Sequence, residues 1–429
     1  MTARTIWTMI LVLTLLTACA PAEATPVPPT EATAPSPASS ENDSLPDTPT
    51  PEPTTTTPIP DDEANGEDDA DLPTVTPEAD ADEAEPAAPR LETVVTGLQT
   101  PWALAFAPDG RLFITERDGA LRVVVDGVLQ PDPVAELPVA AVGEGGLMGL
   151  ALDPDFEDNG YLYMMYTYQQ GGTLMNRISR LTLIDGRAGD EQVLLDAIPG
   201  GRIHNGGRIA FGPDGLLYAT TGDAGSMALA QDPDSPAGKI LRLNADGSVP
   251  EDNPIPGSYV YSIGHRNPQG LAWHPDTGQL FSTEHGPTGE MGRCCHDEVN
   301  RIEAGENYGW PEIVGDGGEP QYRDPVLHSG DETWAPGDVA FYDGGPLTRW
   351  QGNLFFAGLR GAGLYRVALG GDDGAEVIEF EPLYRDELGR LRAVTMGPDG
   401  HLYFASSNRD GRGRPREGDD QVYRIVPEN

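Results

Sequence analysis

The sequence predicts an all-β protein, a six-bladed β-propeller preceded by a segment of different character. First, an apolar run entering a turn recurs six times: WALAFAPDG (102–110), MGLALDPDF (148–156), GRIAFGPDG (207–215), QGLAWHPDTG (269–278), GDVAFYDGG (337–345) and RAVTMGPDG (392–400). Second, the turn aspartates Asp109, Asp155, Asp214, Asp276, Asp343 and Asp399 are separated by 46, 59, 62, 67 and 56 residues, room for about four short strands in each unit. Third, strong amphipathic helix patterns are scarce, so the spacing is not filled by helices.

The N-terminal segment comes first. Arg4 precedes the apolar run Ile6 to Leu16, which is too short to span a bilayer and has the layout of a signal peptide. Leu16-Thr17-Ala18-Cys19 resembles the bacterial lipobox. On that resemblance residues 1–19 are a lipoprotein signal and Cys19 is acylated. The chain would then sit outside the cytoplasm, at the cell surface or in the periplasm, lipid-anchored to a membrane without a transmembrane helix. The alternative is an ordinary secretory signal with an incidental cysteine. From Ala20 to Arg90 there are 18 acidic residues against one basic, 16 prolines and no Phe, Trp or Tyr. Such a stretch cannot bury enough apolar surface to offset its chain entropy, so 20–90 reads as a disordered acidic linker.

Residues 91–429 carry every Phe and Tyr and all but one Trp, with 51 acidic and 25 basic residues. A sizeable core is possible there, and the acidic balance argues against nucleic acid as a partner. After each turn comes a second strand: RLFITE, GYLYMMYTY, LLYATTG, QLFSTE, NLFFAG and HLYFAS. Most of the turns carry Asp-Gly or a nearby Gly, as a hairpin connection requires. The first strand of each unit is small and apolar (Ala105, Ala151, Ala210, Ala272, Ala340), as crowding near a central axis demands. Two stacked sandwiches would explain neither the sixfold count nor those alanines. The ring is expected to close by pairing Leu91 to Thr96 with the last blade, at Gln421 to Val426. The inserts 244–259 and 311–332 read as surface loops. Cys294 and Cys295 are adjacent, so they form either a vicinal disulfide or two thiols, and no Cys-x-x-Cys metal spacing is present.

In a propeller the entry to each inner strand and the exit of the second strand lie on one face. About ten residues before each turn aspartate stand Glu144, His204, Arg266 with Asn267, Trp334 and Arg390; the exits carry Glu116, Asp223, Glu284-His285-Gly286-Pro287 and Arg360. Their convergence on one cleft is the functional signal. A histidine near neutral pH can accept a proton as a general base; taken alone, His204 reads equally as a hydrogen-bonded residue at a blade junction. Arg266, Arg360, Arg390 and Arg392 suit an anionic ligand held by forked hydrogen bonds. Asp223, Glu284 and Glu298 are oxygen donors of the kind Ca²⁺ takes, or else solvated carboxylates and turn caps. No nucleophile elbow, phosphate loop or dinucleotide fingerprint appears.

Eight stretches from Thr100 to Tyr403, in order, carry a resemblance: TPWALAFAPDGRLFITER, GEGGLMGLALDPDF, RIHNGGRIAFGPDGLLYATTGD, AGKILRLNADGSVPEDNP, YSIGHRNPQGLAWHP, TEHGP, DEVNRIEAGENYGWP and GRLRAVTMGPDGHLY. Together they resemble the soluble glucose/aldose sugar dehydrogenase family that uses pyrroloquinoline quinone (PQQ), whose fold is a six-bladed propeller. The resemblance implies oxidation of an aldose at the anomeric carbon to a lactone, with hydride transfer to a Ca²⁺-bound quinone. His204 would be the general base, and Arg266 would stabilise charge on the quinone oxygen. Asn267, Arg360, Arg390 and Arg392 would bind the cofactor, Trp334 would line the site against it, and Glu144 of the same polar set is expected to bind the cofactor too. Gly286 and Pro287 carbonyls would hold the Ca²⁺ at the quinone, and Glu298 with the Tyr308 carbonyl a second, structural Ca²⁺. The segment TGEMGRCCH (288–296) departs from the family pattern, and Pro336 stands where some members have a polar contact. A binding propeller for carbohydrate or protein without catalysis, and a Ca²⁺-dependent lactonase, are the other readings. The first has no need of both a base and an anion clamp, and the second needs a metal held by several carboxylates.

Overall fold

A computed structural model describes residues 88–371 and 374–428. The expected signal segment, Cys19 and nearly all of the expected linker lie outside the described residues. Six antiparallel sheets, each of at least four strands, follow one another along the chain. We number them as blades: blade 1 spans residues 101–136, blade 2 147–199, blade 3 209–263, blade 4 268–328 and blade 5 336–383. Blade 6 takes three strands from the C-terminal region, Leu391–Met396, Leu402–Ser406 and Val422–Pro427, and its fourth from the N-terminal side of the domain, Pro89–Val95. That strand begins at Pro89, so the folded region starts two residues before the expected boundary. It pairs with the last strand from Pro89↔Pro427 to Val95↔Val422, which closes the ring as expected.

The turns explain why the inner hairpins form. Asp109, Asp214 and Asp399 each accept the N–H two residues on, from Arg111, Leu216 and His401. The glycine between them sits at positive φ (88°, 75° and 76° for Gly110, Gly215 and Gly400), a conformation that glycine adopts without steric cost. Buried apolar clusters then link the blades around the ring. One spans blades 1 to 3 (Trp102, Phe113, Tyr163, Leu217). Others join blades 3 and 4 (Tyr218, Leu271), 4 and 5 (Phe281, Phe356), 5 and 6 (Trp350, Phe404), and 6 and 1 (Tyr403, Leu104). The inner-strand alanines Ala105, Ala151, Ala210, Ala272 and Ala340 line one central channel together with larger residues such as Phe106, Phe211 and Met396.

The strand register matters for function. In blades 1, 2, 4, 5 and 6 the register of the inner strand slips within its first few residues. In blade 3 the preceding residue, Arg208, gives its N–H to the Thr220 hydroxyl. Bulges of this kind re-aim side chains at the end of a sheet. The five slips and the Arg208 contact all lie where the inner strands begin, at the same end of the ring. Cys294 and Cys295 are joined as a vicinal disulfide. Among the described residues no helix is long and apolar enough to cross a membrane.

Candidate functional site

At that end of the ring the strand entries enclose a cavity of about 270 Å³ lined by Glu144, His204, Arg266, Gln269, His285, Gly286, Glu290, Asp297, Arg360, Arg390, Arg392 and Arg412, among others. Residues from five different blades and their loops thus meet, as the repeat alignment requires.

His204 stands at φ 56°, a left-handed conformation uncommon outside glycine. Two contacts hold it. Its N–H donates to Glu144 Oε2 (3.0 Å), and its carbonyl accepts the Ala224 N–H (3.0 Å). Its ring Nδ1 lies 2.7 Å from Asp223 Oδ1. Asp223 is fully buried and also accepts N–H bonds from Gly225 (2.8 Å) and from Trp310 Nε1 (2.9 Å). An ionised carboxylate only accepts, so the His204 proton sits on Nδ1 and Nε2 presents its lone pair to the cavity. Blade 4 repeats the arrangement at the same 19-residue separation: His265 Nδ1 lies 2.9 Å from Glu284 Oε2, while Glu284 Oε1 accepts the backbone N–H groups of Arg266 and Asn267. Asp223 and Glu284 therefore act as histidine and backbone anchors, nearer to the turn-cap reading than to that of cation donors.

Arg266 is buried, with Nη1 donating to the His285 carbonyl (3.0 Å) and Nη2 to Glu290 Oε1 (2.5 Å). Arg390 is held by Asp410 Oδ2 (2.7 Å) and the Leu359 carbonyl (3.1 Å). Arg392 gives Nη1 to Gln269 Oε1 (2.8 Å) and lies over the Trp102 ring. Burial, with Arg390 and Arg117 close by, pushes Arg392 below the ordinary arginine range, so an anion beside it would be favoured. Arg360, on the rim, has no side-chain partner among the described residues. Burial pushes His285 down to about 3, which leaves a neutral ring facing this cationic wall.

The donors test whether an anionic, acceptor-rich cofactor fits. Arg266 Nε and Arg392 Nε, on the lining, are buried yet make no hydrogen bond among the described residues. Buried donors are nearly always paired, and a planar polyanion with carbonyl oxygens is the kind of group that would pair them. The lining holds five arginines against three acids. Two of those acids are occupied by their own protein: Glu144 takes His204 N–H and Arg412 (2.9 Å), and Asp297 takes Gly286, Thr333, Trp334 and Ala335. The residues fit such a group.

A narrow second cavity adjoins the first, lined by Glu284, Gly286, Pro287, Glu298, Tyr308 and Trp310. All four residues expected to hold cations thus face one space. Burial, with Glu284 directly across the strand pair, pushes Glu298 up to about 8. Its oxygens accept N–H bonds from Gly315 and Asn300. Among the described residues no group of three or more His, Cys, Asp or Glu side chains could hold a metal, so any cation here would rely on backbone carbonyls.

Two expected cofactor contacts are placed differently. Trp334 does not line the cavity. Its ring is buried against Phe356, Tyr365 and Phe380, and only its neighbours Thr333 and Ala335 reach the lining. Ala335 adopts φ 46°, and Asp297 Oδ2 captures the N–H groups of both Trp334 and Ala335, which turns the indole into the blade. Asn267 is fully buried off the lining, with Oδ1 accepting the Gly206 N–H (3.0 Å). Sequence reasoning passed over Gln269, Glu290, Asp297 and Arg412. Only Gln269 had a readable signal, since it begins the QGLAWHP repeat one residue after the bulge-forming Pro268.

Residues 98–415 match the family model for glucose/sorbosone dehydrogenase. The chain is similar to a Thermus thermophilus oxidoreductase of the glucose dehydrogenase type, at 49% identity and TM-score 0.73 over 79% of this chain and 100% of that one. It is similar to the PQQ-bound aldose sugar dehydrogenase of Streptomyces coelicolor, at 40% identity and TM-score 0.71 over 80% and 100%. An aldose sugar dehydrogenase of Escherichia coli is 33% identical over 76% of this chain and 92% of its own. A six-bladed propeller with these matches belongs to the glucose/sorbosone dehydrogenase family.

Proposed function

We propose that the protein is a PQQ-dependent aldose dehydrogenase that oxidises the anomeric carbon and releases the sugar as a lactone. The observation that carries this reading is the free Nε2 face of His204, fixed by Asp223 at 2.7 Å and turned into an arginine-lined cavity. When bound, the quinone supplies the hydride acceptor and Ca²⁺ supplies Lewis-acid polarisation. His204 takes the proton of the anomeric hydroxyl at Nε2. Arg266 places a buried positive charge where negative charge grows, an arrangement that needs no reorganisation during the reaction. Arg360, Arg390 and Arg392 hold carboxylates of the cofactor, and Asn267, buried behind the lining, positions the Gly206 N–H. Gly286 and Pro287 offer carbonyls to one Ca²⁺, and Glu298 with Tyr308 to a second. The S. coelicolor relative binds PQQ, which supports the cofactor assignment. Cys19 acylation and a membrane-surface location outside the cytoplasm rest on the lipobox-like sequence.

The test is reconstitution of the full-length chain with PQQ and Ca²⁺, followed by dye reduction over a panel of aldoses. Activity with at least one aldose is expected, with H204A losing about 10²- to 10⁴-fold in kcat. Absence of both quinone binding and aldose oxidation would overturn the reading. Binding with an H204A rate equal to wild type would overturn only the base.

A further inference from the structure

Glu290 lies in the segment 288–296, which departs from the family pattern, yet its carboxylate enters the cleft. Oε1 accepts from Arg266 Nη2 (2.5 Å), and Oε2 accepts the Thr288 N–H (2.6 Å). The same Oε1 lies 3.9 Å from His204 Nε2. The carboxylate is thus clamped at both oxygens and stands beside the two residues to which the reaction is assigned. Of the other lining acids, Asp297 takes four protein donors, and Glu144, like Glu290, takes one at each oxygen, but Glu290 is the acid placed beside His204 Nε2. Each Glu290 oxygen has one donor and keeps acceptor capacity, and the side chain is still 29% exposed. Burial opposes ionisation of Glu290, but the Arg266 hydrogen bond and charge outweigh it and hold the carboxyl below the usual range.

We propose that Glu290 is a specificity-determining residue that accepts a hydrogen bond from the substrate hydroxyl next to the reacting one, the 2-hydroxyl of an aldose. This rests on the dehydrogenase reading above. A hydroxyl that gives its proton to His204 Nε2 must lie within hydrogen-bond reach of it, about 2.6–3.2 Å. Neighbouring hydroxyls of a sugar ring are themselves about a hydrogen-bond length apart. A second hydroxyl therefore falls within reach of an acceptor displaced from Nε2 by the distance seen for Oε1. A carboxylate preorganised by an arginine and a backbone amide is a strong acceptor for it. A site built to bond a hydroxyl discriminates sharply against the analogue that lacks it, because the site's own acceptor is then left unpaired.

The rival role is a stopper: Glu290 would occupy Arg266 until an anionic ligand displaces it. One experiment separates the two. Full-length wild type and E290Q are titrated with PQQ in the presence of Ca²⁺ by absorbance, and the loaded proteins are assayed with D-glucose and 2-deoxy-D-glucose, and with D-galactose and 2-deoxy-D-galactose. Wild type is expected to prefer each hydroxylated sugar by about 10- to 100-fold in kcat/KM, and E290Q to reduce that preference to within about threefold, mainly through the hydroxylated sugar. Quinone affinity is expected to stay within about threefold of wild type. An unchanged 2-deoxy ratio in E290Q overturns the proposal, and tighter quinone binding with that unchanged ratio identifies a stopper. E290D, which keeps the charge on a shorter arm, should recover part of the preference; equal ratios in E290D and E290Q would also overturn it. Wild type that neither binds the quinone nor oxidises any sugar would instead overturn the dehydrogenase reading itself.

Discussion

Asp223 is as consequential as the histidine it holds. It is the acceptor that puts the His204 proton on Nδ1, and its second oxygen is fixed by Trp310. Replacing it with Asn keeps the volume but lets the side chain donate to Nδ1, which would move the imidazole proton to Nε2 and remove the lone pair from the cleft. D223N is expected to lose about 10²- to 10⁴-fold in kcat while quinone affinity changes little. A loss of less than about threefold would show that the ring needs no orienting partner. This dyad was not legible in the sequence as a dyad. His204 and Asp223 were each visible at a strand entry and a strand exit, but the 19-residue separation becomes a contact only once the hairpin between them is formed. Trp334 shows the opposite failure. Its position in the repeat was legible, but its side-chain direction was set by two backbone N–H groups captured by Asp297, a contact with no sequence pattern. Glu290 was hidden for a further reason: 288–296 has no counterpart in the other blades.

Ring closure depends on contacts between residues more than three hundred positions apart. The sixfold count and the closing pair were legible because strand, turn and strand repeat with their glycines and aspartates in place. The means of sealing the ring was not. Leu98 and Asp420 exchange both backbone hydrogen bonds, and the Asp420 carboxylate accepts N–H groups from Thr100 (3.1 Å), Asn408 (2.6 Å) and Arg409. Blade 1 is thereby tied to blade 6 through one fully buried acid. Burial, with Asp419 adjacent, pushes Asp420 up to about 6 against the effect of its three amide bonds. The folded state therefore binds this proton more tightly than the unfolded chain, whose Asp titrates near 3.8. The contribution is fully present below about pH 4 and is lost as pH rises to about 6, amounting to on the order of 3 kcal/mol. Urea unfolding at pH 4 and pH 6 should show wild type losing stability across that window relative to D420N, in which this group cannot titrate. Parallel changes in the two proteins would mean that Asp420 titrates alike folded and unfolded.

The whole molecule sets a conflict that no single blade reveals. The sequence carries a formal net charge of −42, while its cleft presents Arg266, Arg360, Arg390, Arg392 and Arg412. A tricarboxylate quinone approaching from solution meets the field of the acidic chain first and that of the arginines last. The two fields have different ranges. At about 10 mM salt the screening length is roughly 30 Å, so most of the molecule's charge acts on the approaching anion; at about 150 mM it is roughly 8 Å, and mainly the cleft acts. Added salt should then remove repulsion before it weakens the clamp, because the buried Arg266 and Arg392 are screened least. Stopped-flow association of PQQ with the full-length protein in Ca²⁺ is expected to quicken about two- to fivefold between those salt concentrations, the reverse of ordinary electrostatic steering. Further salt should slow it again as chloride competes for the arginines. A rate that falls steadily from the lowest salt upward would mean that the arginine cluster governs the approach at every distance and that the acidic surface has no part in it.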